Sequence, residues 1–284
     1  MSELPEKEAD MLRTPPVAAF VLLLLVPLFA APAPASCDAI APAEDFQIIQ
    51  TGPGLSPHKE IFLLPYTYAD EYDGRLAEVV FQLSAKHRLF GTRVYLAYSQ
   101  LSFWQAYDIH NSSPLRNTDF NPEIFYRFAP TAYAAGALGA DAGLEHESNG
   151  QLVPLSRSWN LLYLSPWYQR GDMLLYLKLR CRIPEPAKEN PGDAWGDDNP
   201  DITDYLGYSD FHLYYRTGRG HLAHFTVRGI LGSGRGYASL SYSLPLPRSA
   251  DSFLILRLSH GYGESLMDYR ESISRIGFGV MFAR

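Results

Sequence analysis

The chain has 284 residues, a formal net charge of −7 and only two cysteines. The mild excess of acidic residues argues against a nucleic acid as the partner. Two cysteines cannot form a disulfide framework, and about 250 residues beyond a leader would fill one large barrel or one to two ordinary domains.

The first segment has the layout of a secretory signal peptide. Residues 17–26 form an uninterrupted apolar run, which Arg13 precedes and the small-residue stretch 33–35 follows. The run is shorter than the ~20 apolar residues that a spanning helix needs, and Pro27 interrupts it. We therefore predict that residues 1–36 are a removed signal peptide and that the protein is exported.

Two details of this leader stay open in the sequence. Residues 1–10 are acidic and fit the charged region of a signal peptide poorly, so Met11 is an alternative start to Met1. Cys37 lies at the processing edge, and lipidation there is the less favoured alternative because Pro34 stands where a bulky aliphatic residue is expected.

The remaining chain carries many short segments in which apolar and polar residues alternate. A period of two is typical of β-strands, because successive side chains point to opposite faces of a sheet. No window of 18 apolar residues follows the leader, which argues against spanning helices. The predicted strands lie at 79–85, 92–106, 122–133, 139–148, 157–168, 173–179, 204–217, 221–232, 235–244, 251–262 and 275–282.

The strand number and the exported context favour a transmembrane β-barrel. The 19 Tyr, 15 Phe and 4 Trp fit the aromatic girdles that such barrels place at both membrane interfaces. A soluble all-β domain alternates in the same way and is the competing interpretation. We predict an all-β protein in which residues 37–76 lead into a transmembrane antiparallel β-barrel at 77–284.

The segment 139–148 has a histidine and a serine on its apolar face. Residues 140, 142, 144, 146 and 148 are Ala, Ala, Leu, His and Ser, whereas the other face carries Gly, Asp, Gly, Glu and Glu. The apolar face of a membrane barrel contacts lipid, so His146 and Ser148 would meet a lipid substrate. Glu145 and Glu147 would point into the barrel and join a network of lumenal charges. Without further motifs, a Ser/His pair in a strand is a weak signal of catalysis.

Six motifs follow one another in the chain, and together they form a strong signal. They are Gln100–Gln105 (QLSFWQ), Ser112–Arg116 (SSPLR), His146–Gly150 (HESNG), Ser156–Asn160 (SRSWN), Asn199–Tyr208 (NPDITDYLGY) and Gly261–Tyr269 (GYGESLMDY). In this order and spacing the chain resembles outer-membrane phospholipase A, the dimeric barrel lipase of Gram-negative bacteria. The resemblance covers about Val79 to the C-terminus.

This resemblance implies a twelve-stranded barrel whose active site lies on the outer wall near the outer leaflet. It implies that Ser148 is the nucleophile, His146 the general base and then acid, and Asn160 the residue that orients His146. A serine hydroxyl is a poor nucleophile until an imidazole takes its proton, and the imidazole needs a partner on its other nitrogen. The other histidines, His260 among them, lack such a neighbourhood and are predicted to be surface or lumen residues.

The resemblance also implies a calcium ion and a homodimer. The Ser156 side chain and the Gln151 carbonyl of one subunit would hold Ca²⁺ with Ser112 of the other, and Gly150 would supply an oxyanion-hole amide. Such an all-oxygen set suits Ca²⁺ and not Zn²⁺. Gln151 departs from the basic residue frequent in the family, which a carbonyl ligand tolerates. Gln100 would lie in the dimer interface, with a position at the lipid headgroups as the alternative.

Two functions follow from these residues. The first is a calcium-dependent phospholipase of A1/A2 type, integral to the bacterial outer membrane. It would hydrolyse acyl esters of phospholipids and lysophospholipids, and dimerisation would activate it. The alternative is a non-enzymatic barrel, either a small channel or a structural protein. A channel should have a roomy lumen, whereas the charged inward residues predict a filled one.

Overall fold

The computed structural model describes residues 46–52, 54–71, 77–190, 192–229, 235–249 and 251–284. The predicted signal peptide and Cys37 lie outside these residues. Within the described ranges, no helix combines the length and the apolar character needed to cross a membrane.

The described chain is built of fourteen strands with a few short helical turns. The turns are Gln47–Ile49, Ile109–Asn111, Thr203–Leu206 and Gly218–Gly220. The strands are β1 (Leu55–Ser56), β2 (Ile61–Ala69), β3 (Glu78–Arg88), β4 (Val94–Trp104), β5 (Leu115–Arg127), β6 (Thr131–Tyr133), β7 (Gly136–Ser148), β8 (Ser158–Arg170), β9 (Met173–Ile183), β10 (Ser209–Thr217), β11 (His221–Arg228), β12 (Tyr237–Pro245), β13 (Phe253–Tyr262) and β14 (Ser272–Ala283).

Twelve of these strands close into one antiparallel barrel. Each of β2–β5 and β7–β14 pairs with its neighbours in the chain, and β14 pairs with β2 to complete the circle. The short strands β1 and β6 only extend the pairing of β3 and β7. Closure leaves no strand edge unpaired, as a sheet in lipid requires. The predicted twelve-stranded antiparallel barrel is confirmed.

The barrel wall has the polarity of a membrane protein. Large apolar side chains such as Leu96, Ile124, Leu164 and Phe278 are exposed on its outside. Charged side chains such as that of Lys86 are buried inside. A soluble domain would bury its apolar face, whereas a transmembrane barrel turns that face to lipid. The inverted pattern therefore favours the transmembrane barrel over the soluble alternative.

The lumen is cross-linked by ion pairs. Glu145 contacts both Lys178 and Arg180, as the alternation of β7 predicts. Lys178 also lies 3.3 Å from Glu123, so one ammonium group joins two strands through two carboxylates. Glu147 instead accepts a hydrogen bond of 2.8 Å from the indole of Trp159. A lumenal cavity of about 180 Å³ remains between these groups.

The two ends of the barrel differ. The connections at one end are short, as at 171–172 and 218–220, whereas those at the other end include 149–157 and 184–208. Lys86 donates hydrogen bonds to main-chain carbonyls of the Gln47–Ile49 turn, which packs inside the short-loop end. Outer-membrane barrels have short periplasmic turns and long outer loops. The long-loop end, where β7 ends and β8 begins, is therefore the outer end.

Several strand boundaries differ from the sequence-based prediction, and three of them concern where a strand begins. The barrel begins at Ile61, inside the segment predicted to lead into it, because Pro65 and a nearly continuous apolar run hide the alternation. Strand β5 begins at Leu115 rather than 122, since residues 116–119 are all polar and show no alternation. Residues 204–206 belong to a helical turn, so β10 begins only at Ser209.

Candidate active site

The register of two strands brings the predicted catalytic residues together. In the pairing of β7 with β8, His146 lies opposite Asn160 and Ser148 lies opposite Ser158. Directly opposed residues in an antiparallel pair have Cβ atoms about 5 Å apart. His146 and Ser148 are two residues apart in one strand and share its outward face. The pairing alone therefore places the three predicted residues on one patch of the outer wall.

A hydrogen bond joins two of them. His146 Nδ1 lies 2.8 Å from Asn160 Oδ1. The other end of the same amide, Asn160 Nδ2, donates to Glu185 Oε1 at 2.8 Å. Because the amide nitrogen is already a donor to Glu185, Oδ1 accepts the proton that His146 carries on Nδ1. In the neutral ring with this tautomer, the second nitrogen, Nε2, is the one able to accept a proton.

Asn149 organises the loop that follows Ser148. Its side chain is only 3% exposed. Its Oδ1 accepts from the main-chain N–H groups of Gln151 and Arg157 at 3.3 and 2.9 Å, and its Nδ2 donates to the Leu155 carbonyl at 2.9 Å. One buried side chain thus ties both arms of the 149–157 loop, which carries Gly150, Gln151 and Ser156.

Gly150 occupies a position that only glycine fits. Its φ is +63°, in the left-handed region. A β-carbon there would lie 2.9 Å from Phe120 Cε2. Phe120 is also the partner of Ser148 in the β5–β7 pairing, so its ring lies beside the same patch. The conformation and the close contact together explain the glycine of the HESNG motif.

Ser156 lies beside a carboxylate. Its hydroxyl donates to Asp198 Oδ2 at 2.6 Å, and the other oxygen of Asp198 pairs with Lys188. The two loops at 149–157 and 184–208 meet at this contact. In the described ranges, no cluster of three or more His, Cys, Asp or Glu side chains could hold a metal ion. Any cation here would depend on hydroxyl and carbonyl oxygens in addition to Asp198.

Two predicted residues lie on neighbouring strands and loops. Gln100 is half-buried on the outward face of β4, accepts from Tyr98 Oη and donates to Ser102 Oγ, both at 3.0 Å. It pairs with Phe120, so it lies two strands from Ser148. Ser112 is exposed on the β4–β5 connection, with a φ of +61°. No hydrogen bond among the described residues joins Ser112 to the other predicted calcium ligands.

Four residues that shape this site were not predicted from the sequence. Asn149 and Asn199 lie inside the HESNG and NPDITDYLGY motifs. Both side chains are buried and accept hydrogen bonds from main-chain N–H groups. Asp198 directly precedes the NPDITDYLGY motif. Glu185 lies in a proline-rich loop with no motif of its own, so only the folded structure connects it to Asn160.

The chain is similar in sequence to known phospholipases. Residues 47–282 match the family model of phospholipase A1. A putative phospholipase A1 from Neisseria meningitidis serogroup B is 36% identical over 72% of this chain, which spans 54% of that relative, about half its length. The phospholipase A1 of Salmonella typhimurium is 35% identical over 76% of this chain and 73% of its own length.

The chain is also similar in fold to solved structures. Outer membrane phospholipase A from Escherichia coli superposes with a TM-score of 0.71 at 31% identity, covering 83% of this chain and 95% of that chain. A calcium-bound dimer of the Salmonella typhi outer membrane phospholipase gives a TM-score of 0.69 at 30% identity, over 80% and 92% of the two chains. With a family match over most of its length, this chain belongs to the phospholipase A1 family.

Proposed function

We propose that this chain is a calcium-dependent outer-membrane phospholipase that hydrolyses acyl esters of phospholipids and lysophospholipids. The single observation that carries the proposal is the 2.8 Å contact of His146 Nδ1 with Asn160 Oδ1, on a lipid-facing wall that also presents Ser148. Family membership supports the same activity. A hydrolytic pair on the outside of a barrel has access to lipid rather than to solutes in the lumen.

The chemistry follows from the three side chains. The Ser148 hydroxyl attacks the acyl carbonyl carbon while His146 Nε2 takes the hydroxyl proton. His146 then gives that proton to the departing alkoxide, which leaves as an alcohol, and the acyl group remains bonded to the Ser148 oxygen as an acyl-serine. Water deprotonated by His146 attacks the acyl-serine, releases the fatty acid and returns the proton to Ser148. Asn160 holds the ring and the tautomer through both halves.

The donor set of the site fits calcium. Ser156 and the Gln151 carbonyl of one subunit, with Ser112 of a second, would offer only oxygens, which Ca²⁺ prefers. The Asp198 carboxylate beside Ser156 is a further oxygen donor, and Lys188 pairs with its other oxygen. When bound, calcium would stabilise negative charge on the substrate carbonyl oxygen. The Gly150 amide would donate to that same oxygen.

Dimerisation would regulate this site. Ser112 belongs to the β4–β5 connection and is exposed, which suits a ligand donated to another subunit. Gln100 presents a polar amide on the lipid-facing wall. Beside its bonds to Tyr98 and Ser102, this amide has further hydrogen-bonding capacity that a second copy could use. Phospholipid is scarce in an intact outer leaflet, so substrate that reaches it after damage would favour the dimer and complete the site. A non-enzymatic channel is the weaker alternative, because ion pairs cross the lumen.

Fatty-acid release from phospholipid in detergent micelles tests the proposal. Wild type is compared with Ser148→Ala, each with calcium and with chelator. The matched control is Ser274→Ala, because Ser274 is another serine of the barrel wall beside a histidine. His260 lies opposite it in the β13–β14 pairing, with His260 Nδ1 3.0 Å from the Ser274 hydroxyl. We expect calcium-dependent release that only Ser148→Ala abolishes. Well-folded wild type that releases no fatty acid at any calcium level would leave the barrel without this activity.

A further inference from the structure

The amide of Asn160 has a second partner that the three-residue site does not use. Asn160 Nδ2 donates to Glu185 Oε1 at 2.8 Å, and the Glu185 side chain is half-buried. We propose that Glu185 is a positioning residue that fixes the Asn160 amide and, through it, the tautomer of His146. This inference rests on the proposed function of the Ser148 site.

The backbone holds Glu185 at this position. Asn160 pairs with Ile183, the last residue of β9, so a residue two positions further along lies next to the Asn160 side chain. Pro184 and Pro186 flank Glu185 and restrict the chain to extended conformations. The Pro186 carbonyl accepts from the Asp197 N–H at 2.8 Å, which ties this turn to the far side of its loop. Glu185 is therefore placed by covalent restraint and by the fold.

The chemical consequence lies in the direction of the amide. An asparagine side chain can present either its oxygen or its nitrogen to a neighbour, and its hydrogen-bond partners decide which. An ionised carboxylate only accepts, so Glu185 selects the orientation with Nδ2 towards itself. Oδ1 then faces His146 and accepts from Nδ1–H. Nε2 is left as the acceptor for the Ser148 proton, which is the tautomer that the proposed reaction requires.

Charge gives Glu185 a second effect. A neutral asparagine cannot stabilise an imidazolium as the aspartate of a Ser-His-Asp triad does. The carboxylate of Glu185 lies one side chain further out and polarises the amide between them. The relay thus runs from Glu185 through the Asn160 amide to His146, over two hydrogen bonds of 2.8 Å each.

The test measures kcat and KM for phospholipid in micelles for wild type, Glu185→Ala, Glu185→Gln and Glu189→Ala. Glu189 is an exposed carboxylate of the same loop and is the matched control. We expect Glu185→Ala to lower kcat by about ten- to hundred-fold with KM nearly unchanged, because a misplaced catalytic group costs rate rather than binding. Glu185→Gln keeps an acceptor and should recover most of that loss.

A double-mutant cycle separates positioning from general loop damage. In an Asn160→Ala background the change Glu185→Ala should have no further effect, since the relay is already cut. Equal kcat for Glu185→Ala and Glu189→Ala would overturn the inference. A loss of kcat caused by Glu185→Ala that persists in full in the Asn160→Ala background would also overturn the inference.

A readout besides activity keeps this inference distinct from the proposed function. In ¹⁵N-histidine spectra, the His146 ring should be protonated at Nδ1 in wild type and become a mixture of tautomers in Glu185→Ala. An inactive wild type with this spectral response would overturn the lipase proposal and leave the Glu185 relay standing. An active wild type in which Glu185→Ala changes neither the spectrum nor kcat would overturn the Glu185 relay and leave the lipase proposal standing.

Discussion

On the outer wall, His146 and His260 each lie opposite a polar partner on the next strand, and only the region around His146 has the parts of an active site. His146 lies two residues before the end of β7, and His260 lies two residues before the end of β13. Each faces its partner across the neighbouring strand, Asn160 in one case and Ser274 in the other. Strand pairing alone thus produces the same local contact twice.

The difference lies in what surrounds each pair. Asn160 is held from behind by Glu185, and a loop anchored by buried Asn149 follows directly after Ser148. At the second region, His260 Nδ1 contacts the Ser274 hydroxyl itself at 3.0 Å, and no other described side chain holds this histidine by a hydrogen bond. A histidine beside a serine is common, whereas a histidine oriented by a third group is the requirement for a general base.

The largest expected effect comes from removing His146, with His260 as the matched control. His146→Ala should lower fatty-acid release by about 10⁴-fold, since it removes the general base. His260→Ala should leave release within about twofold of wild type, because that histidine is not oriented for catalysis. Both rates are measured in calcium-containing micelles on protein with an intact barrel. Comparable losses in the two variants would erase the distinction between the regions.

The second effect concerns the glycine after the nucleophile. Gly150→Ala should lower kcat by about 10²-fold, the typical loss when an oxyanion-hole donor is displaced. Gly171 is the matched control, since its φ of +53° is also left-handed but nothing lies within 4 Å of a β-carbon there. Each variant should lose about 1–2 kcal/mol of unfolding free energy from backbone strain. If Gly171→Ala lost as much activity, strain rather than the Phe120 contact would be responsible.

A smaller effect is expected from the loop anchor. Asn149→Ala should raise the calcium concentration needed for half-maximal activity by about tenfold, because the loop that carries Gln151 and Ser156 loses three hydrogen bonds worth about 0.5–1.5 kcal/mol each. The measurement is a calcium titration of fatty-acid release. Asn190→Ala is the control, an exposed asparagine that bonds only within its own turn in the described chain. An unchanged half-maximal calcium concentration in Asn149→Ala would mean that Asn149 does not support the proposed metal site.

The smallest effect concerns a contact between the outer loops of the two regions. Asp201 Oδ1 accepts from Tyr269 Oη at 2.6 Å and from Arg270 Nη2 at 2.8 Å. Partial burial raises the pKa of Asp201, but these hydrogen bonds outweigh it and hold the pKa below its usual value. A depressed pKa stabilises the fold above about pH 4, the usual aspartate range, and this contribution is lost as the pH falls through the folded-state pKa.

Asp201→Asn should therefore lower the unfolding free energy by less than about 1 kcal/mol at neutral pH, since the ion pair is partly exposed and screened by solvent. Urea titrations in detergent measure the difference at neutral and at acidic pH. The difference should shrink as the solution is acidified. A deficit that grows in acid would contradict the sign of the shift.

Parts of this site follow from the sequence for a simple reason. Alternation has a period of two, so the order of residues in 139–148 already puts His146 and Ser148 on the apolar face and Glu145 on the other. Strand β2 escaped prediction because Pro65 and its apolar neighbours obscure that period. The partners of a residue on other strands are a matter of register, which local pattern does not encode.

The sequence by itself determined the strand pattern, the outward face of His146 and Ser148, and the family motifs that contain Asn160 and Gly150. Only the tertiary structure decided that Glu185 contacts Asn160 and that Asp198 contacts Ser156. These contacts join loops and strands that are distant in the chain, and they exist because barrel closure and strand register fix which ends meet. Local side-chain periodicity carries no information about such non-local pairings.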